Sequence, residues 1–322
     1  KAKNRVAHVA PETLQQITQA TAPKQMTAAK PKLRANLGLR ENHAPDPDRR
    51  QSLETKLTKI FKIHAGHYWS DSGALMGVLP YAIWNSKFET DEKRRKKMDL
   101  NLLLIVTAKR RILVDTGLGN RLSKKQKEIY QPSEFALPAA LGELGFRDVD
   151  ITDVIMTHLH FDHAGGIVTA FLDKDILTFP NAKYWIQKDE WDIAKKPDST
   201  NLAAYAFEHQ LALLEATGDV ELIQGEQEIA PGVRCIKTGG HTIGHQAVSV
   251  ETDDGYYIYA GDIVATKFHS SLAITSAYDV CRADTVESKK MLYSRLRERD
   301  GTLLLNHDPK IWEIPFSDLK LR

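Results

Sequence analysis

The chain has 322 residues, 42% hydrophobic and 27% charged, enough to bury one large domain or two small ones. Its 44 basic and 42 acidic residues leave a net charge of +2, which gives no electrostatic case for a nucleic-acid groove or an anionic membrane surface. No run of eighteen apolar residues argues for a transmembrane helix, and two cysteines, Cys235 and Cys281, supply neither a disulfide framework nor metal-type spacing and read as buried free thiols.

In chain order, residues 1–54 are rich in Ala, Pro, Gln, Lys and Asn without sustained apolar periodicity, and they read as a flexible or peripherally packed arm. The first residue is Lys1 rather than a methionine, so a leader such as a signal peptide is expected upstream, and the compartment stays open between cytoplasm and periplasm or exterior. The folded domain is expected over residues 55–322, opening with a strand from Leu57 to His67. From Trp69 to Pro80 the glycines and aromatics predict an ordered loop that lines a pocket, with Tyr81 and Trp84 beyond it. The basic run from Lys93 to Lys97 reads as a solvated loop. A hairpin follows, Leu102 to Val106 paired with Arg111 to Val114, and ends in Asp115-Thr116-Gly117. Helices are predicted over Ser123 to Tyr130, Leu137 to Leu144 and Leu202 to Ala216, the last closed by Gly218. Strands are predicted at Lys183 to Gln187, Gly232 to Lys237, Gln246 to Glu251 and Tyr256 to Ala260, then a long helix from Asp284 to Arg299 and a strand from Thr302 to Leu305. Two successive β-then-α halves make the fold class α/β, a sandwich of sheets covered by helices.

The chemistry concentrates in Thr157-His158-Leu159-His160-Phe161-Asp162-His163-Ala164-Gly165-Gly166, which follows the apolar run Val154-Ile155-Met156. Three imidazoles and a carboxylate within six residues at a strand end point to two neighbouring metal positions rather than to a polar turn with incidental histidines. Neutral imidazole and carboxylate suit zinc, and also iron, manganese or cobalt. Three later residues each end an apolar run: His241 after Gly239-Gly240, Asp262 after Gly261, and His307 after Leu303-Leu304-Leu305.

With these seven residues the chain resembles the metallo-β-lactamase superfamily, from about Lys56 to the C-terminus. The resemblance implies an αββα sandwich of two mixed sheets with a dinuclear metal centre along one edge. It implies that His158, His160 and His241 hold one ion, that Asp162, His163 and His307 hold the other, and that Asp262 bridges them. Within the superfamily, His160 departs from the Glu of flavodiiron proteins, and Asp262 from the Cys of zinc β-lactamases. Glyoxalase II enzymes share the ligands but carry a helical domain beyond the last histidine, where only Asp308 to Arg322 remain here, and RNA-processing relatives need an added RNA-holding segment. The loop from Gly73 to Pro80, Trp84 and Asn306-His307-Asp308 look like the lactonase branch, which opens N-acyl homoserine lactones, and its methyl parathion hydrolase relatives. Several of those lactonases place a Tyr three residues after the bridging Asp, where this chain has Ala265, with His269 or Tyr278 as substitutes.

The resemblance therefore implies a metal-dependent hydrolase that opens lactones or esters with hydroxide generated at the metal pair, Asp162, Asp262 and His269 acting in catalysis. A phosphotriesterase and a glyoxalase II-like thioesterase are the alternatives. Asp115 and Thr116 are expected to orient ligands or to cap a turn, and His64, His67 and His245 to be surface or packing residues. Trp69, Met76, Phe268 and His269 are the expected substrate pocket. A small lactone or ester is the expected partner, with no nucleic acid and no membrane, and the apolar loop and the arm offer surfaces for a homodimer.

Overall fold

A computed structural model describes residues 58–172, 174–205 and 211–319; the expected arm, residues 1–54, lies outside them. Strands β1 (Lys59–Asp71), β2 (Arg95–Val106), β3 (Arg111–Val114) and β4 (Asp153–Ile155) begin the first sheet. A small hairpin, β5 (Val168–Phe171) and β6 (Lys174–Leu177), stands apart, and β7 (Lys183–Gln187) and β8 (Val220–Ile223) complete the sheet in the order β1-β2-β3-β4-β7-β8. The three hairpin-connected strands are antiparallel and the last four run parallel. The second sheet holds β9 (Glu226–Ala230), β10 (Val233–Lys237), β11 (Gln246–Thr252), β12 (Gly255–Tyr259), β13 (Thr302–Leu304) and β14 (Glu313–Pro315), ordered β14-β13-β12-β11-β10-β9.

Alternation along the strands builds the layers. In β2, Leu103 and Ile105 join Ile112, Val114 and Ile155 against Val233, Cys235, Val248, Val250 and Leu304 of the second sheet. The intervening Leu102 and Leu104 face a separate apolar layer, with Leu137 and Leu141 of one helix and Trp191 of another. A long helix, Arg282–Glu298, covers the second sheet with Leu292, Tyr293 and Leu296 over Ala247, Ile258 and Leu303. The result is the expected αββα order of layers, and no described helix is long and apolar enough to cross a membrane.

In chain order the α-helices among the described residues are α1 (Ser72–Met76), α2 (Tyr81–Trp84), α3 (Lys124–Tyr130), α4 (Leu137–Glu143), α5 (Phe161–Ala164), α6 (Lys188–Lys195), α7 (Ala212–Thr217) and α8 (Arg282–Glu298). The hairpin β2–β3, the strand β7 and helices α3, α4 and α8 fall where the sequence predicts them. Three expectations are corrected. The loop from Trp69 to Pro80 contains helix α1, because the Asp71 carboxylate accepts the Ala74 amide at 2.7 Å and caps it. The basic run is not a solvated loop: β2 starts at Arg95, and Arg95 and Lys96 are buried, the former because Asp91 and Gln131 accept its guanidinium hydrogens. The helix expected from Leu202 does not begin there. Residues 201–204 are turns and α7 covers Ala212–Thr217, while residues 206–210 of the expected helix lie outside the described residues; the Tyr205 hydroxyl donates to Glu190 Oε1 at 3.0 Å.

Candidate metal centre

The seven metal-type side chains stand at strand ends of both sheets. β4 leads into Thr157 and His158, and His160 then caps the one-turn helix α5, which carries Asp162 and His163. From the second sheet, β10 delivers His241, β12 delivers Asp262 and β13 delivers His307. Gly261 holds φ at +53°, and a Cβ there would lie 2.6 Å from the His245 ring, so the chain before Asp262 admits only glycine.

Two groups of donor atoms result, His158, His160 and His241 in one, Asp162, His163, Asp262 and His307 in the other. In the second group His163 Nε2 lies 3.2 Å from His307 Nε2, and Asp262 Oδ1 lies 3.3 Å and 3.2 Å from the two. Asp162 Oδ2 lies 3.7 Å and 3.5 Å from the same nitrogens. In the first, His160 Nδ1 and His241 Nε2 are 3.2 Å apart, and the other Asp262 oxygen, Oδ2, is 3.4 Å from His241 Nε2. Such edges suit donors each about 2.0–2.1 Å from a common cation.

The fold and this clustering agree with comparison to known proteins. The family model described as Metallo-beta-lactamase superfamily matches residues 99–299. This chain belongs to that superfamily. As a member it is a metal-dependent hydrolase. The N-acyl homoserine lactonase of Bacillus cereus is 28% identical over 196 residues, which cover 54% of this chain and 71% of that protein. The lactonase AttM of Rhizobium radiobacter is 27% identical over 177 residues, 52% of this chain and 62% of its own. Among solved structures, a probable metal-dependent hydrolase from Staphylococcus aureus superposes with a TM-score of 0.76 at 26% identity, covering 82% of this chain and 94% of that one. AidC, a dizinc quorum-quenching lactonase in complex with a product, superposes with a TM-score of 0.65 at 20% identity, covering 80% and 89%, and shares the fold.

In this superfamily member, hydrogen-bond partners determine which face of each imidazole is free. Thr157 donates its amide and hydroxyl to Asp115, at 2.7 Å and 2.8 Å, so its hydroxyl oxygen is left to accept from His158 Nδ1 at 3.1 Å. His163 Nδ1 donates to Asp115 Oδ2 at 2.9 Å, His241 Nδ1 to Asp279 Oδ1 at 2.9 Å, and His307 Nδ1 to the Asp99 carbonyl at 2.8 Å. All four therefore turn an Nε2 lone pair inward. His158 Nε2 is buried with no hydrogen-bond partner among the described residues, and facing lone pairs at 3.2 Å repel unless a cation lies between them. The donor set fits divalent metal.

The electrostatics divide the donors: His158 and His160 are held neutral, while the carboxylates favour positive charge at His163, His241 and His307, the charge a cation would supply. Burial, aided by neighbouring imidazoles, lowers His158 well below its usual pKa and brings His160 to about 3, so both are neutral, the ligating form. Burial works the same way on His163, but Asp162, Asp262 and Asp115 outweigh it and raise that histidine well above its usual value. Burial opposes ionisation of Asp262, yet His163, His307 and His241 hold its carboxyl well below the usual range.

Several supporting residues escaped the sequence reading. The Tyr68 hydroxyl of β1 donates to Asp162 Oδ2 at 2.6 Å. Glu190 of α6 accepts the Leu159 amide at 2.9 Å and the Tyr205 hydroxyl on Oε1, and the Thr242 hydroxyl at 2.5 Å on Oε2, tying the two histidine loops of the first group together. His245, a packing histidine as expected, accepts the Asp262 amide on Nε2 at 3.1 Å. Asp115 orients His163, as expected. None of these partners has a local signature, because each contact joins residues far apart in sequence.

The expected pocket divides. Met76 is fully buried in the apolar layer beneath the helices. His269 is buried with both ring nitrogens engaged, Nδ1 with the Thr266 hydroxyl at 2.8 Å and Nε2 donating to the Leu75 carbonyl at 2.9 Å, so neither is left for substrate. Trp69 and Phe268 line a groove of about 1080 Å³ that none of the seven metal-type side chains lines.

Proposed function

We propose that the chain hydrolyses a lactone or closely related ester, N-acyl homoserine lactones being the first class to test, at two divalent ions held by the seven buried side chains. His158, His160 and His241 hold one ion, Asp162, His163 and His307 the other, and Asp262 spans both. Nitrogen and carboxylate donors suit zinc first, then manganese, iron or cobalt. When bound, the pair supplies Lewis acidity toward a carbonyl and toward a water. The observation that carries this reading is the split of Asp262, Oδ1 toward His163 and His307 and Oδ2 toward His241. The curated relatives named N-acyl homoserine lactonase support the substrate class.

The chain's own residues divide the remaining work. Tyr68 fixes Asp162 through Oδ2, leaving Oδ1 to take the proton of the attacking water and return it to the leaving ring oxygen. Asp115, Asp279 and the Asp99 carbonyl hold three imidazoles in the tautomer that presents Nε2. With no side-chain donor at Ala265 and both His269 nitrogens engaged, Tyr278, 43% exposed beside Asp279 and holding among the described residues only a 3.4 Å contact with the Ser70 hydroxyl, is the phenol proposed to donate to a bound carbonyl.

The test is proton release by zinc- or manganese-loaded protein on N-hexanoyl homoserine lactone, beside an aryl phosphotriester. Lactone opening that chelation abolishes is the expected result. Turnover of the phosphotriester alone would move the substrate class to organophosphates, and two bound metals with neither reaction would overturn the lactonase reading.

A further inference from the structure

The groove lined by Trp69 and Phe268 is lined by none of the seven metal-type side chains. Three of its lining residues, Trp69, Thr266 and Asp308, directly follow Tyr68, Ala265 and His307 in the chain. Tyr68 bonds to Asp162, and the Ala265 carbonyl accepts the His307 amide at 2.9 Å, so groove and cluster are built from consecutive residues of the same segments.

One wall of the groove is aromatic. Phe88 stacks on Trp84 at 5.6 Å between ring centres and meets Phe268 edge-on at 5.8 Å. Above it stands Lys96, only 9% exposed, its ammonium 4.7 Å from the centre of the Phe88 ring. Lys96 has no ion pair among the described residues. Burial lowers its pKa, against the opposing pull of Asp308, Glu89 and Asp99, with Lys310 adding to the effect. A buried ammonium without a carboxylate partner is costly, and an incoming anion would relieve that cost. Five lysines and three carboxylates line the groove, and all three carboxylates are already engaged, Asp318 by the Ser317 hydroxyl at 3.3 Å. Glu89 pairs with Lys310 at 3.6 Å, while the Asp308 carboxylate accepts the amides of Lys267, Lys310 and Ile311.

We propose that this groove is a second binding site, for an organic carboxylate with an apolar or aryl body, the carboxylate meeting Lys96 and the body lying on Phe88, Phe268 and Trp69. One buried ammonium selects a single negative charge, and the aromatic wall selects a body that a small inorganic anion lacks. The inference does not depend on the reaction proposed above.

Calorimetric titration of the chelated full chain with octanoate, octanamide and acetate tests it, since chelation removes any metal-held carboxylate from the reading. Octanoate should bind at least about tenfold more tightly than either companion, and Lys96→Met should bring octanoate down to the octanamide level. If Lys96→Met does not fold, Lys87→Glu on the exposed rim carries the same comparison, with octanoate weakened at least about threefold. Octanamide binding as tightly as octanoate, octanoate affinity unchanged in the variants, or octanoate bound only by the metal-loaded chain would each overturn the site.

Discussion

The Tyr68 hydroxyl reaches Asp162 from a strand 94 residues earlier in the chain. Its hydrogen bond fixes one oxygen of the carboxylate proposed to carry the proton, so Tyr68→Phe should lower kcat about tenfold, ~1.4 kcal/mol, with little change in KM or metal content. Steady-state kinetics with metal analysis reads this; an unchanged kcat would remove Tyr68 from the mechanism. Asp115 acts one bond further out, accepting from His163 and Thr157 together, and sits at φ +62° directly after β3. Asp115→Ala should weaken metal binding about 10- to 100-fold, measured by competition with a chromophoric chelator, and undiminished affinity would leave Asp115 a turn residue only. The seven donors were legible because clustered His and Asp at the ends of apolar runs are a local pattern. Tyr68, Asp279 and Glu190 were not, since a lone Tyr, Asp or Glu carries no mark of its distant partner.

At the scale of elements, strand ends and short connections supply the precision. α6 contributes little to the apolar layer beyond Trp191 and Ala194, but it places Glu190 between two loops. Burial pushes the Glu190 carboxyl up, and three donors depend on it. Glu190→Ala should cost about 2–4 kcal/mol by leaving those donors without an acceptor, seen as a lower urea midpoint with an unchanged slope. A midpoint equal to wild type would mean that solvent or Tyr205 satisfies the site. α8 carries a second buried charge, Lys289, whose ammonium donates to the carbonyls of Ser271 at 3.2 Å and Ile274 at 2.5 Å. Burial depresses its pKa from 10.5 to about 8. The folded state therefore binds fewer protons than the unfolded state between those values, and the stability this contributes is present above about 10.5 and lost as pH falls through about 8. Relative to Lys289→Met, wild type should gain up to about 3 kcal/mol as pH rises across that window. Parallel denaturation curves at pH 7.5 and 10.5 check it, and a constant difference between the two proteins would show that Lys289 titrates normally.

At the scale of the molecule, the cluster joins the two sheets: His158, His160, Asp162 and His163 come from the first, His241, Asp262 and His307 from the second. Bound cations would cross-link both halves of the sandwich, so chelation should lower the melting temperature by the loss of about 4 kcal/mol at metal a thousandfold above its Kd. A melting temperature indifferent to chelation would mean that no ion binds the folded chain in preference to the unfolded one. The order of layers was readable from strand and helix periodicity, because alternation and 3.6-residue spacing are properties of short segments. The sequence by itself determined the α/β class, most strand and helix positions, the superfamily resemblance and the seven metal-type side chains that the fold gathers. Only the tertiary structure decided that the two oxygens of Asp262 face different groups, that Met76 and His269 belong to the scaffold, and that Lys96 of an apparently solvated basic run lies buried on Phe88. The reason is physical: burial and hydrogen-bond pairing depend on what the packing of distant segments leaves beside a side chain, and that is not written in its neighbours along the chain.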